Sequence, residues 1–415
     1  MPPVHNPRVD DVRRIVATRA IRGFADGFVS VLLAQYLTEL GFSPVQVGAI
    51  VTGTLLGSAA LTLTFGLTAH RITLRRLLLT AAIVMAATGI GFASFTAFWP
   101  LLIVAVLGTL NPSAGDVSVF LPTEQAVVAS EVDDTDRPRT FAFYNVGGTI
   151  AGAVGALVSG APQAAANALG WELVTAQRAG FVGYAVVGLI VFVAYRGLHS
   201  RTSSSVEATS STDRRRALHH SHRIVLQLSA LFSLDSAGSG FVVTSLLVLW
   251  LHLRFDLSTA TTASVFFAAG LLGGCSQLLA PRLARRFGLI PTMAWTHMPA
   301  NILLVLAAFS PSGAVAIVLL LTRSLFAQMD VPARQAFVMA VVSREERAAA
   351  SSVTNVPRSL ASAATPLIAG ALLNHSTFGW PLVIAGTTKL SYDIVLLLLY
   401  RHVPESRATV DRPAA

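Results

Sequence analysis

The segment PTEQA at residues 122–126 returns as PARQA at residues 332–336. Pro122, Gln125 and Ala126 are matched by Pro332, Gln335 and Ala336, while Glu124 is replaced by Arg334. The match runs well past these five residues. Residues 117–160 placed on residues 327–370 without gaps give 12 identities in 44 positions, among them Arg137 with Arg347, Asn145 with Asn355 and Gly160 with Gly370. A chain rich in Ala and Val would give roughly a tenth by chance, so the segment is written twice. Nearer the start of each half, a shift of 215 pairs Ala69 with Ala284 and Arg71 with Arg286. The second half of the chain is a copy of the first.

Each copy is too apolar to be a soluble domain. Of the 415 residues, 53% are hydrophobic and 12% charged, and the mean hydropathy is +0.64. Soluble proteins carry about 25% charged residues, so most of this surface must face lipid or other apolar helices. The net charge of +9 comes from arginines in short loops between apolar runs. Such charges set orientation and meet anionic headgroups, and they are no signal for nucleic acid. Lys389 is the sole lysine, which excludes a phosphate-binding loop ending in Gly-Lys-[Ser/Thr] and with it ATP-driven transport by this chain alone. Cys275 is the sole cysteine, is read as a packing residue, and permits no internal disulfide. The opening MPPVHNPRVDDVRR lacks the apolar core of a signal peptide, so the first apolar run is expected to stay as a helix.

A membrane-spanning helix needs about 20 mostly apolar residues. Twelve runs qualify, near 15–38, 45–69, 75–95, 98–130, 139–160, 178–197, 222–251, 259–281, 288–309, 312–341, 347–373 and 378–401. The first, fourth, seventh and tenth carry charges and are the least clean. His70, Arg71, Arg75 and Arg76 follow span 2, and Arg282, Arg285 and Arg286 follow span 8. Residues 198–223 hold Arg201, Arg214, Arg215, Arg216 and Arg223, whereas the 3–4, 9–10 and 11–12 connections hold no Lys or Arg. The positive-inside rule therefore places both termini and residues 198–223 in the cytoplasm. That segment is Ser/Thr-rich and aperiodic, so it reads as a linker. Its His219, His220 and His222 have no partners at metal-ligand spacing. The expected domains are an N-terminal six-helix bundle (1–197), a cytoplasmic linker (198–223) and a C-terminal six-helix bundle (224–415), an all-α membrane fold of twelve helices in two pseudo-symmetric halves.

Two six-span halves, a cytoplasmic linker and a basic loop after spans 2 and 8 resemble the major facilitator superfamily of secondary transporters. The family's loop motif is Gly-x-x-x-Asp-Arg-x-Gly-Arg-Arg. GLTAHRITLRR supplies Gly66, Arg71 and Arg75, with His70 at the Asp position and Thr73 at the second Gly; PRLARRFG keeps Arg286 and Gly288. The resemblance makes Gly66, His70, Arg71, Arg75 and Arg286 the expected conformational-switch loops. The stretch from Asp330 to Leu372 is similar to drug and siderophore exporters of the superfamily. Gly147, Gly148, Gly152, Gly155 and Gly160 meet the antiporter signature of span 5 only in part, and small residues at such spacing also let helices pack closely in lipid.

A charge at the bilayer centre costs at least about 2.5–3.5 kcal/mol on insertion scales, so it faces a cavity or a partner. The resemblance implies that spans 1, 4, 7 and 10 line a central cavity, and the interior charges fall there. They are Arg19, Arg22 and Asp26 in span 1, Asp116 and Glu124 in span 4, Asp235 in span 7, and Arg323, Asp330 and Arg334 in span 10. Arg22, Asp26, Asp116, Glu124, Asp235, Asp330 and Arg334 are the expected substrate and proton pathway. Asp26, Asp116, Glu124 and Asp235 are the candidate proton carriers, and Arg22 and Arg334 the candidate anion anchors. Glu124 and Arg334, at matching positions of the two halves, are expected either to bridge them when that side closes and part when it opens, or to snorkel independently. Arg22 and Asp26 lie four apart on one helix face, either neutralising each other or tuning a proton site. Lys389 and Asp393, also four apart, are expected to form a local ion pair.

These readings add up to a proton-coupled secondary transporter that exports a small organic molecule by alternating access, with proton symport of an organic anion as the alternative. No His-Glu-x-x-His, Gly-x-Ser-x-Gly or Cys/His pairing is present, so no enzyme is expected. The expected partners are a small-molecule substrate, protons and membrane lipid, without cofactor, metal or nucleic acid. The expected setting is a monomer in the plasma membrane.

Overall fold

The computed structural model describes residues 7–68, 72–113, 118–132, 137–199, 222–341 and 347–400, and these hold helices and connections without a strand. The first three spans are single helices, α1 (Pro7–Glu39), α2 (Pro44–Thr68) and α3 (Leu74–Ser94). The fourth is broken into α4 (Phe98–Leu107) and α5 (Phe120–Glu131). The fifth is α6 (Arg137–Val158), and a short unforeseen helix, α7 (Ala161–Leu169), leads to the sixth, α8 (Leu173–Arg196). The seventh splits into α9 (His222–Phe241) and α10 (Thr244–Phe255). The eighth and ninth are α11 (Thr259–Phe287) and α12 (Leu289–Ala308). The tenth splits into α13 (Gly313–Ser324) and α14 (Asp330–Val341), and α15 (Arg347–His375) and α16 (Trp380–Tyr400) complete the chain.

Among the described residues nine helices are long and apolar enough to cross a membrane. The three expected spans outside that set are α1, which carries charges along its length, and the broken fourth and tenth. Three of the four runs singled out for their charges are thus also the broken ones.

The repeated phrase marks where two of those breaks end. Pro122 is the third residue of α5 and Pro332 the third of α14. Proline is tolerated in a first helical turn, where the N–H it lacks has no intrahelical acceptor, and its fixed φ favours the start of a helix. Between α13 and α14 the chain stays tightly wound: Leu325 N–H donates to Thr322 O (3.2 Å) and Phe326 N–H to Arg323 O (3.0 Å). The exits from α7 and α11 need glycine, since Gly170 and Gly288 take φ of 67° and 90°.

The chain forms two compact units, Met1–Ala208 with Val243–Gly270, and Thr209–Val242 with Leu271–Ala415. Helix α10 and the first part of α11 therefore join the first unit. Ser245 on α10 donates its hydroxyl to Ser30 O on α1 (2.7 Å), and its N–H bonds Pro112 O in the fourth-span break (3.2 Å). Residues 200–221, most of the expected linker, lie outside the described residues.

Close backbone approach holds the first unit together. A Cβ on Gly27 of α1 would stand 1.9 Å from Gly152 O of α6, and one on Gly155 of α6 would stand 1.9 Å from Phe24 O of α1. Small residues at helix seams recover dispersion contacts where lipid offers no hydrophobic drive. The span-5 glycines thus serve packing at Gly148, Gly152 and Gly155, whereas Gly147 has open space around it. In the second unit Gly240 of α9 lies against Ser362 O of α15 in the same way, at 2.1 Å. Cys275, expected to pack internally, is exposed on α11.

Candidate functional site

Each unit holds one buried network of charge. In the first, the Glu124 carboxylate on α5 is fully buried and takes four donors. Arg22 of α1 pairs with its Oε2, and Tyr144 of α6 donates to the same oxygen at 2.5 Å. Tyr195 of α8 donates to Oε1 at 2.5 Å, and Thr18 of α1 donates to Oε1 at 3.3 Å. Arg22 also donates to Ser118 Oγ (3.3 Å) and lies over the Phe120 ring, 4.1 Å from its centroid. One carboxylate therefore ties α1, α5, α6 and α8 together. A buried ion is tolerated only when paired and fully hydrogen-bonded, and Glu124 meets that condition.

Asp26, one turn beyond Arg22, is also buried, within electrostatic reach of Arg22 and Arg19 and beside Asn111 from the fourth-span break. Arg22 has taken Glu124 as its ion-pair partner, and Asp26 makes no ion pair among the described residues. Arg19, one turn before Arg22, lies over the Tyr144 ring at 5.6 Å.

The second network centres on Asp235 of α9. Lys389 of α16 donates to Oδ1 at 2.8 Å, and Arg334 of α14 donates to Oδ2 at 3.1 Å. Arg334 also meets Asp330, one turn earlier on α14, at 3.4 Å. His297 of α12 places Nε2 3.8 Å from Asp235 Oδ1 and Nδ1 2.9 Å from Asp393 Oδ1 on α16. Asn301, one turn on from His297, donates to Asp393 Oδ2 at 2.9 Å. Three carboxylates, a lysine, an arginine and a histidine are thereby linked through direct contacts. Arg358 of α15 donates to Ser236 Oγ at 3.2 Å beside this network.

Of the expected pathway residues, Arg22, Asp26 and Glu124 come together in the first unit, and Asp235, Asp330 and Arg334 in the second. Asp116 lies outside the described residues. One pairing differs from expectation. Lys389 and Asp393 turn to different neighbours, Asp235 and His297, because a buried pair on one helix face meets two other helices that each offer an opposite partner. Within the first unit Glu124 is paired with Arg22, and within the second Arg334 is paired with Asp235 and Asp330. In the switch loops, His70 and Arg71 lie outside the described residues, as do the surroundings of Gly66. Arg75 donates to Arg196 O at the end of α8 (2.6 Å), and Arg286 lies over Phe287 at 5.3 Å.

Sequence reasoning missed Tyr144, Tyr195, His297 and Asn301. His297 did carry a signal, as the lone ionisable side chain in span 9 with Asn301 four residues on, an intramembrane polar pair. The two tyrosines carried none, since a tyrosine in an apolar helix reads equally well as packing.

Residues 15–328 match the family described as the Major Facilitator Superfamily. An uncharacterized membrane protein of Saccharomyces cerevisiae, YJR124C, is 22% identical over 420 residues, covering 94% of each chain. Among solved structures, the D-xylose-proton symporter superposes with a TM-score of 0.74 at 15% identity, covering 95% of this chain and 98% of that one. The nucleoside transporter NupG gives 0.70 at 13% identity, covering 96% and 100%. At such identities the structural likeness establishes the fold, and the family match adds the class: this chain belongs to the Major Facilitator Superfamily and is a multi-pass membrane protein of the secondary-transporter kind.

Proposed function

We propose that the protein couples proton movement to the export of a small organic molecule by alternating access, as a monomer in the plasma membrane with both termini cytoplasmic. The observation that carries the coupling is the Asp235 network, in which a buried carboxylate is held by Lys389 and Arg334 and joined through His297 to a second carboxylate, Asp393. Placing so many ionisable groups inside membrane-spanning helices is expensive, and a proton arriving there would break an ion pair between helices. In the first unit Asp26, near Arg22 and Arg19 but in direct ion-pair contact with neither, can take a proton without breaking one. Export follows the resemblance of the second half to exporters. Import of an organic anion by symport is the second reading, favoured by the unpaired guanidinium of Arg19.

The deciding experiment measures solute accumulation in cells expressing wild type, Asp26→Asn or Asp235→Asn, with and without an imposed pH gradient, across labelled drugs, organic anions and siderophores. Lower accumulation with wild type, lost when the gradient collapses and in both variants, is the expected result. Higher accumulation reverses the direction. Transport indifferent to the gradient and to both substitutions sinks proton coupling.

A further inference from the structure

Most buried arginines among the described residues have their acceptors on the page: Arg22 has Glu124 and Ser118, and Arg334 has Asp235 and Asp330. Arg19 is different. It is only 8% exposed, its Nε is buried without a hydrogen-bond partner, and no described residue accepts from its guanidinium. Asp26 is the carboxylate on the same face of α1, seven residues on, or about 10 Å along the axis at 1.5 Å per residue; it acts on Arg19 electrostatically but accepts no hydrogen bond from it. The charges of the network balance in sum, but the Arg19 guanidinium has no hydrogen-bond acceptor among the described residues, and its Nε is buried.

The surroundings look built for this side chain. The Tyr144 ring flanks the guanidinium at 5.6 Å, with its hydroxyl committed to Glu124. One turn on along α6, Gly148 leaves the space the guanidinium fills, since a Cβ there would stand 2.6 Å from Arg19 Nε and 2.9 Å from Cζ. The nearest atoms that Cβ would meet all belong to Arg19. A glycine slot and an aromatic face thus hold a planar cation in place; Asp26 acts on it electrostatically, but no described residue accepts a hydrogen bond from it. Arg323 at the end of α13 also has a buried, unpartnered Nε, but its side chain is more open and no such slot is evident around it.

We propose that Arg19 is the anion-binding residue of this transporter and that its substrate carries a carboxylate or phosphoryl group, which takes the guanidinium's free donors as a charge-assisted pair. This deepens the transport reading by naming a substrate class, and it moves the anchor from Arg22 and Arg334, both already occupied by carboxylates.

The test uses the full-length protein purified in detergent, titrated with benzoate, phenyl phosphate and the neutral benzamide, with binding read from the unfolding midpoint. At least one anion is expected to raise the midpoint where benzamide does not, and the two anions separate carboxylate from phosphoryl recognition. Arg19→Gln is expected to abolish the shift, Arg19→Lys to keep part of it, and Gly148→Ala to weaken apparent affinity at least tenfold by displacing the guanidinium. Anions that bind no better than benzamide overturn the proposal, as does Arg19→Gln binding them like wild type. Should Arg19→Gln not fold, unchanged affinity in Gly148→Ala overturns it equally. Binding in detergent needs no gradient, so its failure is separable from failure of proton coupling.

Discussion

At the scale of single residues, the two networks differ in how much of their charge is structural. Glu124 has four donors from three helices, so each tyrosine can be removed on its own. Tyr144→Phe and Tyr195→Phe should each destabilise the purified protein by about 1–3 kcal/mol, the range for leaving a buried acceptor under-satisfied. Because both hydroxyls serve one carboxylate, the double variant should depart from additivity by more than about 0.5 kcal/mol, and unfolding midpoints of the four proteins check this. Strict additivity would mean the two bonds act independently. Asp235 holds two cations, so Asp235→Asn should destabilise by about 3–5 kcal/mol, mostly by stranding Lys389 and Arg334. Adding Lys389→Met to it should recover part of the loss, since the uncompensated ammonium is then gone. If the double variant is as unstable as the single one, the stranded-charge account fails.

Among the elements, the α1–α6 seam and the broken spans decide the architecture. Gly27→Ala would press a methyl into Gly152 O, and the resulting shift should cost about 1–3 kcal/mol as overpacking does. Gly147→Ala, with nothing within 4 Å, should be neutral or stabilising by up to about 1 kcal/mol through helix propensity. Thermal unfolding of the two variants side by side separates a packing glycine from an incidental one. An equal effect at both positions would show that helix propensity, not the seam, governs this stretch. How legible this was varied by element. The spans came from hydropathy and length, and the proline at the third position of α5 and α14 explains why the repeated phrase survives at two helix starts. The seam was visible only as small residues at a repeating spacing, which fits either packing or a signature. Its partner glycines on α1 belong to a sequence-distant helix, so no local pattern could pair them.

For the whole molecule, the loop charges predict a topology that labelling can check. In a Cys275→Ala background, Pro311→Cys, between α12 and α13, should react with an impermeant thiol reagent on intact cells. Ser205→Cys, in the linker, should react only after lysis. Labelling of Ser205→Cys on intact cells would invert the orientation and with it the reading of residues 198–223 as cytoplasmic. The division of the chain shows what duplication leaves open. Although the repeat divides the sequence into two halves, the segment Val243–Gly270 packs with the first unit, through bonds such as Ser245 to Ser30 and Gln35 to Thr262. Those bonds join residues more than 200 positions apart, and their hydroxyls and carboxamide are types found in any loop.

The sequence by itself determined the membrane setting, the apolar spans, the duplication and most of the charges that are buried. Each follows from a local quantity: apolar run length, loop charge, or identity at a fixed offset. Which charge meets which was decided only by the tertiary structure. Spacing of four residues suggested that Lys389 would take Asp393 and allowed Arg22 to take Asp26. In the folded chain Lys389 reaches Asp235 and Asp393 reaches His297, while Glu124 takes Arg22 and Arg334 takes Asp235 and Asp330. The physical reason is that a buried ion is stabilised by the donors nearest in space, and helix packing, not sequence separation, sets which donors those are. The same packing left Arg19 without a hydrogen-bond acceptor among the described residues, which no reading of the sequence alone could have located.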